Sequence, residues 1–485
     1  MGINYLLPIL SAIIGVLASP GNGGGYLSLI LFVPLFWALK DGHRLYIKTF
    51  LFAIPYYFYN LIWVNSSVSH YGNAPIFIGL LCVLGISLYM SIYLLIYVKI
   101  QLHVHNIFSL ATFFTLLEML RGVIFTGFPW LNLGSLLYEY DYSTVIYKNL
   151  GEYGATFIIM LTNLGLYRVI SGKRYALGFF SILPLIITFT IGGSGGSVSK
   201  EGKVKVSVIQ PKYSQEEKWL PEKMEDIKAE VLNITKIALS TDSDMIVLSE
   251  SVFPFFIQND NATFNYFLNN SREKSIILGN IRYDKNLWHY NSAFFFENEN
   301  YDYYDKIRLV PFGEYFPLKF ITRPISRYFF GDAEDFKKGV RPKIFHTNKG
   351  VKIFPVICYE SAFYGLFRDV FKYEIPNMIV VLSNDSWFGG KIGRMQHLAI
   401  DIVRAKEFSK PMIRSTQSGI SACLSESGHI IASMNMNETG IMNCSVEING
   451  ETTRFAKYGY LWFYLCIGWV IFTQFLKKAF FKSGF

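Results

Sequence analysis

The stretch Val351-Lys-Ile-Phe-Pro-Val-Ile-Cys-Tyr-Glu360 runs apolar, β-prone residues into a cysteine followed by a tyrosine and a glutamate. A strand that ends on a thiol holds it at a rigid edge where a substrate can reach it. Two other segments bear on Cys358. Glu250 ends a similar run, Met245-Ile-Val-Leu-Ser-Glu250, and Lys306 lies in Tyr304-Asp-Lys-Ile-Arg-Leu-Val-Pro-Phe-Gly-Glu-Tyr-Phe-Pro317. A thiol is mostly protonated at neutral pH and needs a base or a nearby cation to become a nucleophile. Glu250 is the candidate base. Lys306, helped by a backbone N–H just after the cysteine, is the candidate stabiliser of an oxyanion. Taken singly, each has a structural reading as surface carboxylate, solvated lysine or small core residue. Their joint occurrence in this order favours an acyl-transfer site.

Around these segments, Val204–Gln210, Met245–Leu248, Ser275–Gly279, Lys352–Ile357 and Met378–Ser383 read as strands, several of them buried. Gln215–Thr241 and Gln396–Phe408 read as amphipathic helices between them. Strands alternating with helices predict an α/β or layered α+β domain over residues 198–456.

The rest of the chain has a different character. Of 485 residues 51% are apolar, including 43 Phe and 32 Tyr, and only 17% are charged, which points to two or three units with substantial membrane embedding. The net charge of +9 comes with no arginine-rich stripe and no zinc-ligand spacing, so nucleic acid is not an expected partner. Apolar runs recur at 4–19, 25–40, 49–65, 75–98, 107–125, 152–170, 175–193 and 457–476. Crossing a bilayer takes about 20 mostly apolar residues; several runs qualify and the first two are shorter. The expectation is a multi-pass helical membrane domain of about seven spans over 1–197, and a last span with a basic tail over 457–485.

Lys40, Arg44, Lys48, Lys99, Arg168, Lys173, Arg174, Lys477, Lys478 and Lys482 follow alternate runs, whereas the loops 21–25 and 65–73 carry no Lys or Arg. That pattern fits both termini inside and the segment 198–456 outside. Gly192-Gly-Ser-Gly-Gly-Ser197 reads as a linker, since it follows an apolar run instead of opening a helix within a βαβ unit.

The five cysteines, Cys82, Cys358, Cys423, Cys444 and Cys466, form no metal-ligand pattern; a Cys423–Cys444 pair is conceivable, and the spacing leaves it open. No cofactor or metal is expected.

The order Glu250, Lys306, Cys358 in this setting resembles the nitrilase (carbon–nitrogen hydrolase) superfamily. Eight apparent spans around such a domain resemble its membrane-embedded branch, the bacterial apolipoprotein N-acyltransferases. The motifs that carry the likeness are Lys306-Ile-Arg-Leu-Val-Pro-Phe-Gly-Glu-Tyr315, Ile357-Cys-Tyr-Glu360, Ser383-Asn-Asp-Ser-Trp-Phe-Gly389, Arg414-Ser-Thr-Gln-Ser-Gly-Ile420, and Phe125-Thr-Gly-Phe-Pro-Trp-Leu131 preceded by Glu118-Met-Leu-Arg121. The resemblance implies an α-β-β-α sandwich in which Glu250 is general base, Lys306 oxyanion stabiliser and Cys358 nucleophile. It implies that Glu314 orients the lysine or the intermediate, that Tyr359 and Glu360 flank the nucleophile, and that Trp219 rides an arm near the entrance.

By the same resemblance the reaction is ping-pong. An acyl chain from the sn-1 position of a phospholipid passes through a Cys358 thioester to the α-amine of a diacylglyceryl-cysteine on an apolipoprotein, at the outer face of the bacterial inner membrane. Arg121, three residues from Glu118, is a candidate headgroup contact or one half of a structural ion pair. The family pattern is broken at Pro211-Lys212 and at Ser418. The competing readings are a membrane-tethered amidase with the same triad and water as acceptor, and a catalytically silent lipid-binding scaffold.

Overall fold

A computed structural model describes residues 2–172, 200–317 and 335–482, apart from 71, 73, 212 and 214 and the side chains of 215 and 474–482. The apolar run 175–193, the stretch 192–197, Lys173, Arg174 and Lys212 lie outside the described residues. The chain divides into two compact units: Met1–Ile62, Leu81–Gly195 and Thr453–Phe485 form one, and Trp63–Leu80 with Gly196–Thr452 form the other.

The expected boundaries at 197 and 456 are therefore incomplete, because residues 63–80 group with the chemistry-bearing segment. Local contacts explain this. The Trp63 ring stands edge-on to Phe388 at 4.8 Å, its Nε1–H donates to Gln396 at 3.1 Å, and the Ser67 hydroxyl donates to the Trp387 carbonyl at 2.8 Å.

Ile76–Gln101, whose residues 76–80 group with the second unit, and Glu152–Ile170 of the first are long and apolar enough to cross a membrane, and Ile3–Ala18, Gly25–Leu39 and Leu461–Thr473 are shorter apolar stretches. The run 25–40 is not one continuous α-helix. A 3-10 turn, Gly25–Leu29, gives way to a helix, Val33–Leu39, that restarts with Pro34 in its first turn. Asn163 holds the break, accepting from the Phe32 N–H at 2.8 Å and donating to the Ser28 carbonyl at 2.8 Å.

The second unit is built on strands β1 (Gly202–Gln210), β2 (Met245–Val247), β3 (Ser275–Tyr283), β4 (His289–Glu297), β5 (Asn300–Asp305), β6 (Phe345–His346), β7 (Lys352–Ile357), β8 (Met378–Asn384), β9 (Met412–Gln417), β10 (Ala422–Leu424), β11 (Ile430–Ser433) and β12 (Gly440–Ile448). Among the described residues they form two six-stranded sheets, ordered β12-β1-β2-β3-β4-β5 and β11-β10-β9-β8-β7-β6. The centres are parallel (β1-β2-β3 and β7-β8-β9) and the margins antiparallel.

Parallel strands bury both faces, so their side chains sort with period two into two cores. Val206, Val208, Met245, Val247, Ile277 and Phe295 of one sheet meet Ile353, Ile357, Val380, Leu382 and Ile413 of the other. On the first sheet's outer face, Ile246, Leu248, Ile276, Leu278 and Phe296 pack with Ile227 and Val231 of helix Met224–Leu239 and Phe267 of helix Asn261–Asn270. On the second, Phe354 meets Phe367 of helix Tyr364–Tyr373, which stacks on Phe408 of helix Lys391–Phe408. The result is the expected α-β-β-α sandwich. A Cys423–Cys444 disulfide joins β10 of one sheet to β12 of the other.

The helix expected over Gln215–Thr241 is broken into Gln215–Lys218, a 3-10 turn Pro221–Lys223, and Met224–Leu239. Pro221, which has no N–H to donate, accounts for the restart.

Candidate active site

The sheets deliver the three expected groups to one place by ending there. Glu250 lies three residues beyond β2, Lys306 directly after β5, and Cys358 directly after β7. Cys358 takes a left-handed φ of 51° and opens a 3-10 turn, Cys358–Ala362. This conformation is costly for a residue with a Cβ and persists only where the surroundings hold it. Glu250 is followed by a second left-handed residue, Ser251, with φ 46°. Its Cα passes so close to β3 that only a glycine, Gly279, fits opposite: an added Cβ would stand 2.6 Å from it.

The Lys306 ammonium lies 3.2 Å from Glu250 Oε1 and 2.9 Å from Glu314 Oε1, and the lysine is 1% exposed. Glu314 is fixed by its other oxygen, which accepts from the Val310 N–H at 2.7 Å. Asn291 of β4 spans the two carboxylates, its side-chain amide donating to Glu250 and to Glu314 at 2.7 Å each. Glu250 Oε2 accepts from the Asn384 N–H at 2.8 Å.

Burial alone would push the Lys306 ammonium toward neutrality. The charges of Glu250 and Glu314, with Cys358 beside them, outweigh that and hold its pKa above the ordinary value. Burial also pushes the Cys358 thiol up, reinforced by Glu250 and only partly offset by Lys306 and the nearby Ser383. A thiol so placed would have to give up its proton before or during any nucleophilic attack.

Glu360 ties the Cys358 turn to the Lys306 segment. It is fully buried and accepts from the Ile357 N–H at 2.9 Å, the Ile307 N–H at 2.6 Å, the Arg308 N–H at 3.1 Å and the Tyr304 hydroxyl at 2.8 Å. Burial raises its pKa, against the pull of these donors. Tyr359 is buried, with its ring edge-on to Phe363 at 5.0 Å.

Trp219 is 47% exposed and lines an apolar recess of about 350 Å³ with Pro254, Phe255, Phe256 and Ile281. Arg121 lies in the other unit. It is 3% exposed, donates to the Trp130 carbonyl at 3.1 Å and Asn132 Oδ1 at 2.7 Å, and stands 3.8 Å from Glu118. These partners favour the ion-pair reading of Arg121 over a headgroup contact.

Sequence reading missed Asn291, Asn384, and Lys218. The Lys218 ammonium, beside Trp219, is buried, donates to the Ser251 carbonyl and lies 3.4 Å from Gln417 Oε1. Burial lowers its pKa to about 7, with Glu250 opposing.

A thiol, a buried lysine and two glutamates gathered where strands end make an arrangement suited to acyl transfer, and the comparisons identify the class. Residues 205–458 match the family description "Carbon-nitrogen hydrolase", and residues 11–165 match "Apolipoprotein N-acyltransferase N-terminal domain". The apolipoprotein N-acyltransferase of Aquifex aeolicus is 30% identical, over 86% of this chain and 93% of its own. That of Haemophilus ducreyi is 28% identical over 91% of both chains, and that of Geobacter metallireducens 28% identical over 96% of this chain and 93% of its own. The chain belongs to the apolipoprotein N-acyltransferase family of the carbon–nitrogen hydrolase superfamily.

Proposed function

We propose that this enzyme moves a fatty acyl chain from the sn-1 ester of a phospholipid to the α-amine of a diacylglyceryl-cysteine, through a thioester on Cys358. The observation that carries the reading is the buried Glu250–Lys306–Glu314–Asn291 cluster held beside the Cys358 thiol. Cys358 Sγ attacks the ester carbonyl while Glu250 takes its proton. The oxyanion rests on the Lys306 ammonium and the Tyr359 N–H. Collapse breaks the C–O bond, and the lysophospholipid hydroxyl leaves with the proton held by Glu250. The acceptor amine then attacks the thioester, gives a proton to Glu250, and expels the Cys358 thiolate, which is reprotonated. Glu314 and Asn291 keep the lysine aimed throughout.

Both substrates are lipids, and burying an acyl chain gains about 0.8 kcal/mol per methylene, so an enzyme anchored in the bilayer meets them where they reside. In this reading about eight spans anchor the chain, with both termini cytoplasmic and the catalytic unit periplasmic. The alternation of basic loops supports that orientation, as does the Cys423–Cys444 disulfide, which suits an oxidising compartment. The experiment is intact mass of the purified protein with phospholipid and no acceptor, for wild type and Cys358→Ala. An acyl-sized increment in the wild type alone is expected. No increment, with hydrolysis of small amides, would favour the tethered amidase.

A further inference from the structure

A second buried cluster sits behind the nucleophile, on helix Lys391–Phe408. His397, Asp385, Asp401 and Arg414 are each fully buried. His397 Nδ1 lies 3.0 Å from Asp385 Oδ1 and 3.1 Å from the Arg414 guanidinium. Arg414 pairs with both Asp385 and Asp401. Asp385 accepts from the Ser383 hydroxyl at 2.7 Å, and Phe388 stands edge-on to the imidazole at 5.6 Å. With one edge so fixed, the other edge of the ring has a set direction. Nε2 lies 3.3 Å from the backbone carbonyl oxygen of Cys358 and 3.2 Å from the Ser361 hydroxyl. A carbonyl only accepts, so a bond there needs the proton on Nε2, which leaves Nδ1 to accept from the Arg414 guanidinium.

The carbonyl of Cys358 and the N–H of Tyr359 belong to one planar peptide and point in opposite directions. A donor on the oxygen therefore fixes where that N–H points. It also polarises the amide, strengthening the N–H by something like 10–30% per bond. We infer that His397 is a positioning residue for the oxyanion hole, gripping the Cys358 carbonyl so that the Tyr359 N–H meets the developing oxyanion. The role rests on the thioester chemistry proposed above.

Two reactions of the same thiol separate this role from a merely structural one. Acylation by a p-nitrophenyl ester forms an Sγ–C bond through an oxyanion and expels nitrophenolate. Alkylation by iodoacetamide displaces iodide with no oxyanion. The variants are His397→Gln, which keeps a donor, and His397→Met and His397→Phe, which lack one and differ in shape, so that a folding failure of either leaves the other.

Losing an oxyanion donor outright costs about 10²–10³ in rate. Misaiming one is expected to cost about 10- to 100-fold in acylation, with alkylation within about threefold of wild type and His397→Gln largely rescued. Acylation unchanged in the donorless variants, or acylation and alkylation falling together, overturns the inference. Neither reagent is a phospholipid, so the ratio is readable even if the thioester experiment above fails.

Discussion

Gly279→Ala tests how tightly the first sheet fixes Glu250, the base of the proposed reaction. The new Cβ would stand 2.6 Å from Glu250 Cα, 2.9 Å from the Ser249 carbonyl oxygen and 3.0 Å from the Ser251 nitrogen, all of them backbone atoms. No rotamer change can relieve contacts with backbone. Ordinary contact begins at 3.4 Å, so β3 and the segment carrying Glu250 must part by about 0.8 Å. Two hydrogen bonds hold them together there, Gly279 N–H to the Ser249 carbonyl at 3.0 Å and Val252 N–H to the Gly279 carbonyl at 2.8 Å.

A misplacement near 1 Å costs about 10²-fold in rate, and overpacking costs about 1–3 kcal/mol of stability. The assay is the time course of Cys358 acylation by phospholipid, read by intact mass and normalised to folded protein by thermal melting. Gly365→Ala is the control: nothing lies within 4 Å of its added Cβ, and it should react at the wild-type rate. If Gly279→Ala acylates within about threefold of wild type, the claim that backbone contact positions Glu250 is wrong. A loss of stability alone would not rescue it.

Three other outcomes follow from the geometry. The folded Lys218 pKa is near 7, whereas the unfolded lysine keeps its proton to about 10.4, so unfolding takes up a proton between those values. Wild-type stability should therefore rise with pH through that window, by up to about 1.4 kcal/mol per unit, and Lys218→Met should lose the slope; parallel melting profiles for the two proteins would refute this. Replacing both Cys423 and Cys444 by serine, which opens a link spanning 21 residues, should cost about 3 kcal/mol, measured by denaturant unfolding under oxidising conditions. Glu360→Gln places an amide among three backbone N–H donors and should destabilise the site by about 2–4 kcal/mol while slowing acylation; wild-type rate and melting point would show that the clamp is dispensable.

The meeting of Glu250 and Cys358 was legible because each ends or follows a recognisable run, and strand ends are where a sheet can present a side chain; Lys306 was read from its own segment, Tyr304–Pro317. Continuous runs such as Met378–Asn384 read as strands for the same reason: a parallel centre needs apolar residues on both faces. The margins were not legible. The strand Asn300–Asp305 reads Asn-Tyr-Asp-Tyr-Tyr-Asp, polar because it pairs on one side only. The supporting residues escaped for another reason. Asn291 and Asn384 meet Glu250 across 41 and 134 residues of chain, and no local pattern encodes a partner at that distance. Residues 63–80 show the same limit, since they look like loop and span until Trp63 is seen against Phe388.

That short excursion has a consequence for how the enzyme can be divided. The chain leaves its membrane-type unit at residue 62, returns at 81, leaves again at 195 and returns at 453. The hydrolase-like sandwich is therefore not a cassette that can be cut out at two points. A soluble piece spanning only 196–452 would keep every reacting group, but would lack Trp63 and Ser67, which brace Phe388 and Trp387 beside His397. The sandwich thus carries a brace that comes from a distant stretch of sequence, and a piece cut without residues 63–80 should lose it.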